Sequence, residues 1–453
     1  MADASGIPDW SSLPRDLLIA VLGWLDAPSA LAYAGVCAAW RAAVAAGAGV
    51  PLARTPWLFT WEPDDGTVSG GPTGATLRCV LGPRSASFPT APFPRGRSLR
   101  CCGASHGWIL ASDEQSNLVL YNPFAGPSAA NFIPLPPVTD FKCVRSCYSS
   151  DDEGRIEAYV HEEYCGWDAE SFGSDFYHKA VLSCAPSSTG TGGAGFTAAM
   201  IHCLRRSLSF AKAGDSEWRQ ACAMGRTGYK VLRHITEDGQ QFTLNTDLDD
   251  KYSDITHHDG RFYTVTVHGV VESWDLSGSS VEVIGTLGYV ADDVLLLSRH
   301  LVSTPWGDLL QVRATMARNL DKYSHRVMVQ IGKIIPHRHR MVKLRPAKAL
   351  RGHAVFLGLN HSSCVHPDEF PGLRRNCIYF TTPPFADCDH PWNLGWNGMK
   401  IYDMKNNTAE DVFESSTDIY AMYPRPPAVW VIPNRNQADK ACCSSLMNLS
   451  LGD

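Results

Sequence analysis

Between Leu13 and Val44 apolar residues recur three and four positions apart, and beyond Ala46 that spacing gives way to short alternating or β-branched runs. In the first region Leu17, Leu18, Val21, Leu22 and Leu25 mark a helix opened by Pro14, whose fixed φ and missing N–H suit the first helical position. Asp26 or Ser29 can cap a second helix through Leu31 and Tyr33, and a third begins near Val36 and carries Trp40 and Val44. Three helices this short carry more apolar surface than they bury among themselves. Neither a cysteine pair nor a histidine cluster lies within them as a staple, so a protein partner is expected; the plain alternative is a helical cap on the domain that follows.

The remaining chain reads as strands. Runs of strand character cover Trp108 to Ala111, Leu118 to Tyr121, Ala180 to Ser183, Phe262 to Val267, Val270 to Trp274, Leu309 to Val312, Arg326 to Ile331, Ala354 to Leu357, Ile378 to Thr381 and Met399 to Tyr402. Turns are frequent among them, with 38 Gly and 29 Pro in the chain, and a hairpin is expected around His268-Gly269. No long amphipathic helix is expected past Ala46. Leu118-Val119-Leu120-Tyr121-Asn122, Val271-Glu272-Ser273-Trp274-Asp275 and Met399-Lys400-Ile401-Tyr402-Asp403 share one pattern, a strand ending in an aromatic and then Asn or Asp. Each suits the same strand of a repeated blade. At roughly 40 to 50 residues per blade, a radial array of six or seven degenerate blades fits the span, allowing for long loops.

Domain limits follow: residues 8–50 for the helices, 52–433 for the β domain, and a frayed tail over 434–453. Ser187 to Gly195 is Ser/Gly/Thr-rich and reads as an exposed loop.

Composition narrows the function classes. Hydrophobic residues are 44% and charged residues 19%, which describes a globular chain. A formal net charge of −6 gives no general attraction to nucleic acid or to an anionic membrane. The first apolar run follows Asp3 and Asp9, contains Arg15 and is broken by Gly23, so no signal peptide is expected and the protein is expected inside the cell, in cytoplasm or nucleus. Its 15 cysteines are odd in number, scattered and without a C-x-x-C, as for reduced thiols buried as small hydrophobes.

Candidate chemistry is sparse. Gly103-Ala104-Ser105-His106-Gly107 spells the G-x-S-x-G of a hydrolase elbow, but a strand follows where a helix is needed, and adjacent Ser105 and His106 point to opposite faces of an extended chain. Gly190, Gly192 and Gly195 match G-x-G-x-x-G without a βαβ setting, and no phosphate-binding G-x-x-x-x-G-K-[ST] occurs. Cys143 with Cys147, Cys388 with His390, and His257-His258 offer only pairs of donors, so no metal and no cofactor are expected. Asp249-Asp250 and Asp292-Asp293 sit in turn-like sequence. From Arg313 to Arg351 eleven Lys or Arg face one acid, Asp321; Arg338, Arg340, Lys343 and Arg345 form a strip that reads as a solvated face, or else as a site for an acidic or phosphorylated client.

Leu13-Pro14, Leu17-Leu18, Val21-Leu22, Leu25, Val36-Cys37 and Trp40-Arg41 together resemble an F-box, with Ala30-Leu31 where an Asp-Leu pair is common. Further on, Arg100-Cys101-Cys102, Ser105 to Leu110, Tyr121-Asn122-Pro123-Phe124, Leu135-Pro136-Pro137, Arg299 to Ser303, Gly307 to Val312, Val355 to Gly358 and Asn376 to Thr381 are collinear with the plant domain that follows many F-boxes, the KIB-type β-propeller, which the chain resembles. The two resemblances imply a small all-α F-box before a large all-β propeller. They imply docking on a Skp-type adaptor, and through it on a cullin ubiquitin ligase, by Leu13, Pro14, Leu17, Val21, Leu22, Leu25, Val36, Cys37 and Trp40, which contact the adaptor or support the helices that do. The propeller would then bind an unknown client, and no catalytic residue is implied. The rival readings are a serine hydrolase acting through Ser105 and an F-box scaffold without ubiquitin transfer.

Overall fold

The computed structural model describes residues 10–25, 27–46, 56–61, 75–79, 86–89, 100–124, 132–149, 156–161, 164–186, 195–203, 205–221, 232–235, 241–244, 251–267, 269–277, 280–286, 294–319, 324–338, 340–370, 372–381, 399–412 and 428–433. The tail over 434–453, the tip of the Ser/Gly/Thr-rich loop, Asp26, His268, His339, and the Cys388 and His390 pair lie outside these residues.

Helices α1 (Arg15–Leu22), α2 (Ala27–Ala34) and α3 (Ala38–Ala46) form the N-terminal block. Pro14 takes the cap position, extended at φ −55° and ψ 139°, one residue earlier than the pattern suggests. Ser29 sits inside α2 and does not open it.

Six radial sheets follow, so the count falls at the lower of the two expected values. Blade 1 joins Trp57–Trp61, Ala75–Cys79 and Ala86–Pro89 to Val429–Val431 from the far end of the chain, which pairs antiparallel with Trp57–Phe59. That pairing joins the two ends of the β domain in one blade and closes the ring. Blade 2 runs outward through Arg100–Ser105, Trp108–Ser112, Leu118–Tyr121 and Phe132–Pro134. Blade 3 uses Tyr177–Leu182, Thr197–His202, Ser207–Lys212 and Arg219–Gln220. Blade 4 uses Tyr252–His258, Arg261–Thr266, Val270–Trp274 and Ser280–Thr286. Blade 5 uses Val294–Ser303, Leu309–Asn319, Ser324–Ile335 and Arg340–Lys343. Blade 6 has five strands in the spatial order Ser363–Val365, Ala354–Leu357, Cys377–Phe380, Lys400–Asp403 and Thr408–Asp411, with Ala354–Leu357 parallel to Cys377–Phe380.

The shared strand pattern has a structural meaning. Leu118–Tyr121, Val270–Trp274 and Lys400–Asp403 each lie next to the outermost strand of their sheet. Leu118–Tyr121 is buried on both faces, as a strand between neighbouring blades must be, which explains its unbroken apolar run. Ring closure is also an aromatic matter: Phe356 of blade 6 stacks on Tyr379 at 4.9 Å and meets Trp430 of blade 1 edge-on at 4.8 Å.

Additional elements interrupt the ring sequence. Val144–Tyr148, Ile156–His161 and Tyr164–Asp168 form a three-stranded sheet between blades 2 and 3, and Leu232–Ile235 with Gln241–Leu244 forms a hairpin between blades 3 and 4. A short helix, α4 (Ala169–Phe176), follows that three-stranded sheet. It is only eight residues long and polar apart from Ala169, Phe172 and Phe176, which are buried; the Asp168 carboxylate accepts from Ser171 N at 2.8 Å and caps it.

Candidate protein-interaction site

The helical block sorts its apolar residues into two rows. Leu18 and Leu22 point inward with Ala30, Tyr33, Ala43 and Val44. The Tyr33 hydroxyl donates to Leu18 O at 3.0 Å, its ring lies 4.3 Å from that of Trp40, and Trp40 Nε1 donates to Trp10 O at 3.0 Å. Leu13, Leu25 and Trp40 pack half-buried against this cluster, and Cys37 is also half-buried. The same apolar cluster continues into Trp57, Phe59 and Leu77 of blade 1, so the inner face does serve as a cap on the β domain.

The other row stays in water. Leu17 is 54% exposed, Val21 43% and Val36 59%, and Pro14 is exposed too. Leu17 and Val21 stand one helical turn apart, so they share a face of α1. Two further large apolar residues are uncovered nearby in sequence, Trp10 at 58% and Trp24 at 76%. The sequence pattern does not single these out: Trp10 precedes the helical run, and Trp24 continues the spacing of Leu17 and Val21 just past the end of α1. Of the nine residues expected to contact an adaptor or to support the helices that do, Pro14, Leu17, Val21 and Val36 are exposed, Leu13, Leu22, Leu25 and Trp40 pack in or against the inner cluster, and Cys37 is half-buried.

The ring centre holds buried polar side chains. Lys179 on the first strand of blade 3 and Asp254 on the first strand of blade 4 are buried, and Lys179 also donates to Gly358 O at 2.9 Å. Asp254 accepts from Ile255 N and Leu301 N, each at 2.8 Å, and His300 Nδ1 lies 3.5 Å away. Burial opposes ionisation of Asp254, yet Lys179 and His300 outweigh it and hold the carboxyl at about 2. Nearby, His106 and His361 have ring centroids 5.3 Å apart, and His361 Nε2 lies 2.9 Å from Thr256 Oγ1.

Ser105 ends a strand, and His106 and Gly107 form the turn, at φ 53° and 82°, into Trp108–Ser112. The G-x-S-x-G string is therefore a hairpin, and the buried Ser105 Oγ accepts from Leu182 N at 3.1 Å. Arg338, Arg340, Lys343 and Arg345 are all exposed along the outermost strand of blade 5 and its flanks, at the rim of the ring. Other cations of that strip have partners: Lys333 Nζ lies 2.6 Å and Arg351 3.5 Å from the Asp308 carboxylate, and Arg351 covers the Trp306 ring at 4.8 Å.

Of the paired metal donors, His257 packs on Phe262 and His258 Nδ1 meets Ser303 Oγ at 2.8 Å. Cys147 is exposed and makes no cluster with Cys143. Cys143 instead meets His161 and Cys203, 18 and 60 positions further along the chain, a grouping that no local spacing announces.

A closed ring of six blades carrying an uncovered apolar ledge defines the class, a β-propeller suited to protein interaction. The KIB1-4 beta-propeller family model matches residues 81–408, and the chain belongs to that family. A search among curated proteins finds no matching relative. Similar solved structures include BBS1N in complex with ARL6DN (9% identity, 62% of this chain and 75% of that one, TM-score 0.25). The computationally designed Ika8 protein (8% identity, 61% and 71%, TM-score 0.23) and the WD40 domain of SCAP from fission yeast (9% identity, 74% and 80%, TM-score 0.26) are others. No helix among the described residues is long and apolar enough to cross a membrane.

Proposed function

We propose that this protein is the substrate-recognition subunit of a Skp–cullin–F-box ubiquitin ligase. Its helical block docks on the adaptor and its propeller holds a client protein. The observation that carries the reading is the outer face of α1, where Leu17 and Val21 are left in water by a block whose other face is already filled, with Val36 of the turn after α2 exposed as well. Covering a large apolar side chain is favourable by about 1.5–3 kcal/mol when burial is complete, so such a row favours a partner that seals it. The molecule does no bond chemistry in this reading. It raises the effective concentration of the client beside the ubiquitin-loaded enzyme.

Co-expression with a Skp-type adaptor and affinity capture of the full chain tests the proposal. Leu17→Asp with Val36→Asp places charge on the ledge without disturbing the inner cluster, and it should reduce adaptor capture at least tenfold at unchanged melting temperature. Undiminished capture would overturn the assignment. Client turnover in cells, compared between wild type and this variant, separates a working receptor from a scaffold that binds the adaptor without ubiquitin transfer.

A further inference from the structure

Cys143, His161 and Cys203 come from three separate elements. Cys143 lies in the turn that leads into Val144–Tyr148, and its neighbour Val144 pairs across the sheet with His161, the last residue of Ile156–His161. Cys203 follows Thr197–His202 of blade 3 at φ 53°, and its amide donates to Phe176 O at 2.9 Å. The left-handed turn at Cys203 brings its thiol to the inserted sheet. The Sγ atoms of both cysteines and a ring nitrogen of His161 all fall within 4.8 Å of one another, and His161 Nε2 lies 2.7 Å from Cys203 Sγ. Among the described residues this is the one such grouping of metal-ligating side chains.

We propose that Cys143, His161 and Cys203 bind a zinc ion, which staples the three-stranded sheet to blade 3. Zinc takes bonds of about 2.3 Å to sulfur and about 2.0–2.1 Å to imidazole nitrogen, so tetrahedral donor pairs stand roughly 3.5–3.8 Å apart. The Nε2–Sγ separation of 2.7 Å is shorter than that range and every pair lies within 4.8 Å, so small side-chain rotations reach it. Two thiolates and an imidazole are soft-to-borderline donors, which select zinc over magnesium or calcium. On binding, the thiol protons leave to solvent. Three protein ligands leave one position of the tetrahedron for water or an incoming donor. Without a metal the same contact is a hydrogen bond between imidazole and thiol, and the difference is measurable.

The full chain, purified and treated with a chelator, is reloaded with zinc chloride and desalted, and bound metal is measured by mass spectrometry. One zinc per chain is expected, with a higher melting temperature than the metal-free form. Cys143→Ser and Cys203→Ser should each lower occupancy at least tenfold, whereas Cys147→Ser and Cys184→Ser should leave it unchanged. Cys143→His keeps a donor in place and should restore binding, which guards against variants that lose metal only by misfolding. Reloading with cobalt chloride should give the visible absorption of tetrahedral thiolate-bound cobalt. Zinc below a tenth of an equivalent in the wild type, or equal occupancy in the Cys143→Ser, Cys203→Ser double variant, would overturn the proposal. So would a disulfide between the two cysteines in reduced cell extract. Adaptor capture depends on none of these residues, so the fate of this site and that of the ligase reading are separable.

Discussion

Lys179 Nζ lies 2.5 Å from Asp254 Oδ1, and the two residues, both buried, join the first strands of the neighbouring blades 3 and 4. A buried pair of this kind is costly to break from one side, because the surviving charge is left without a partner. Lys179→Met should therefore destabilise the full chain by about 3–5 kcal/mol. Lys179→Met with Asp254→Asn should cost less than the sum of the two single changes, since neither charge remains. Urea unfolding of the three variants gives the coupling energy directly. Acid gives a second readout. The Asp254 carboxyl sits at about 2 in the folded protein against about 3.9 for a free aspartate, so its contribution is present above about pH 4 and is lost as pH falls through about 2. Asp254→Asn should flatten that part of the profile.

The histidines near the ring centre set a different acid limit. Burial first, with His106 and His258 adding to it, lowers the His257 pKa to about 4; burial also lowers His106, and it lowers His361 well below the ordinary range, with His106 and Lys179 adding to it and Asp254 opposing. An unfolded histidine takes up its proton near 6.5, so between about pH 6.5 and 4 the unfolded chain binds more protons than the folded one. Stability should fall with pH across that window. His257→Phe removes one of the titrating groups and should reduce the slope of the unfolding midpoint against pH. An unchanged slope would show that these rings titrate freely in the native ring.

How far the strands could be read from sequence depends on where they lie in a blade. Leu118–Tyr121, Val270–Trp274 and Ala354–Leu357 are bounded by turn residues and have clear strand character, so the pattern marks them to the residue. Tyr252–His258 was missed, although it is the first strand of blade 4. It carries Asp254 and Thr256, polar residues that resemble loop sequence until Lys179, His361 and Leu301 arrive from other blades to satisfy them. Thr197–His202 was missed for the opposite reason, since Ala198 and Ala199 carry little strand preference and owe their burial to neighbouring sheets. In the helical block the residues of the ledge were legible but its outward face was not. Leu17-Leu18 and Val21-Leu22 are adjacent apolar pairs, and only packing decides which member of each pair faces water.

Gly103 marks a close backbone approach between blades 2 and 3. A Cβ built there would stand 2.4 Å from the carbonyl oxygen of Ala180, a backbone atom that cannot swing aside. Gly103→Ala should push the two first strands apart and destabilise the protein by about 1–3 kcal/mol, as overpacking does in tight cores. A thermal melt of the full chain measures this. Gly103→Ser, with a larger side chain at the same place, should be worse, and a neutral result for both would mean that the blades slide past one another more freely than their contact suggests.

The two rows of the N-terminal block should separate stability from binding. Leu18 is 2% exposed and Leu22 is 4% exposed, so Leu18→Ala and Leu22→Ala each open a cavity at a cost of about 2–5 kcal/mol. Leu17→Ala and Val21→Ala remove groups that already stand in water, and their effect on stability should stay within about 0.5 kcal/mol. Adaptor capture should show the reverse order of sensitivity at a temperature where all four variants are folded. The residue numbers alternate between the rows, 17 with 21 and 18 with 22, so the two measurements should alternate in step along α1. If Leu17→Ala and Val21→Ala cost as much stability as their neighbours, the outer row is sealed in solution by the chain itself, and no ledge remains for an adaptor to cover.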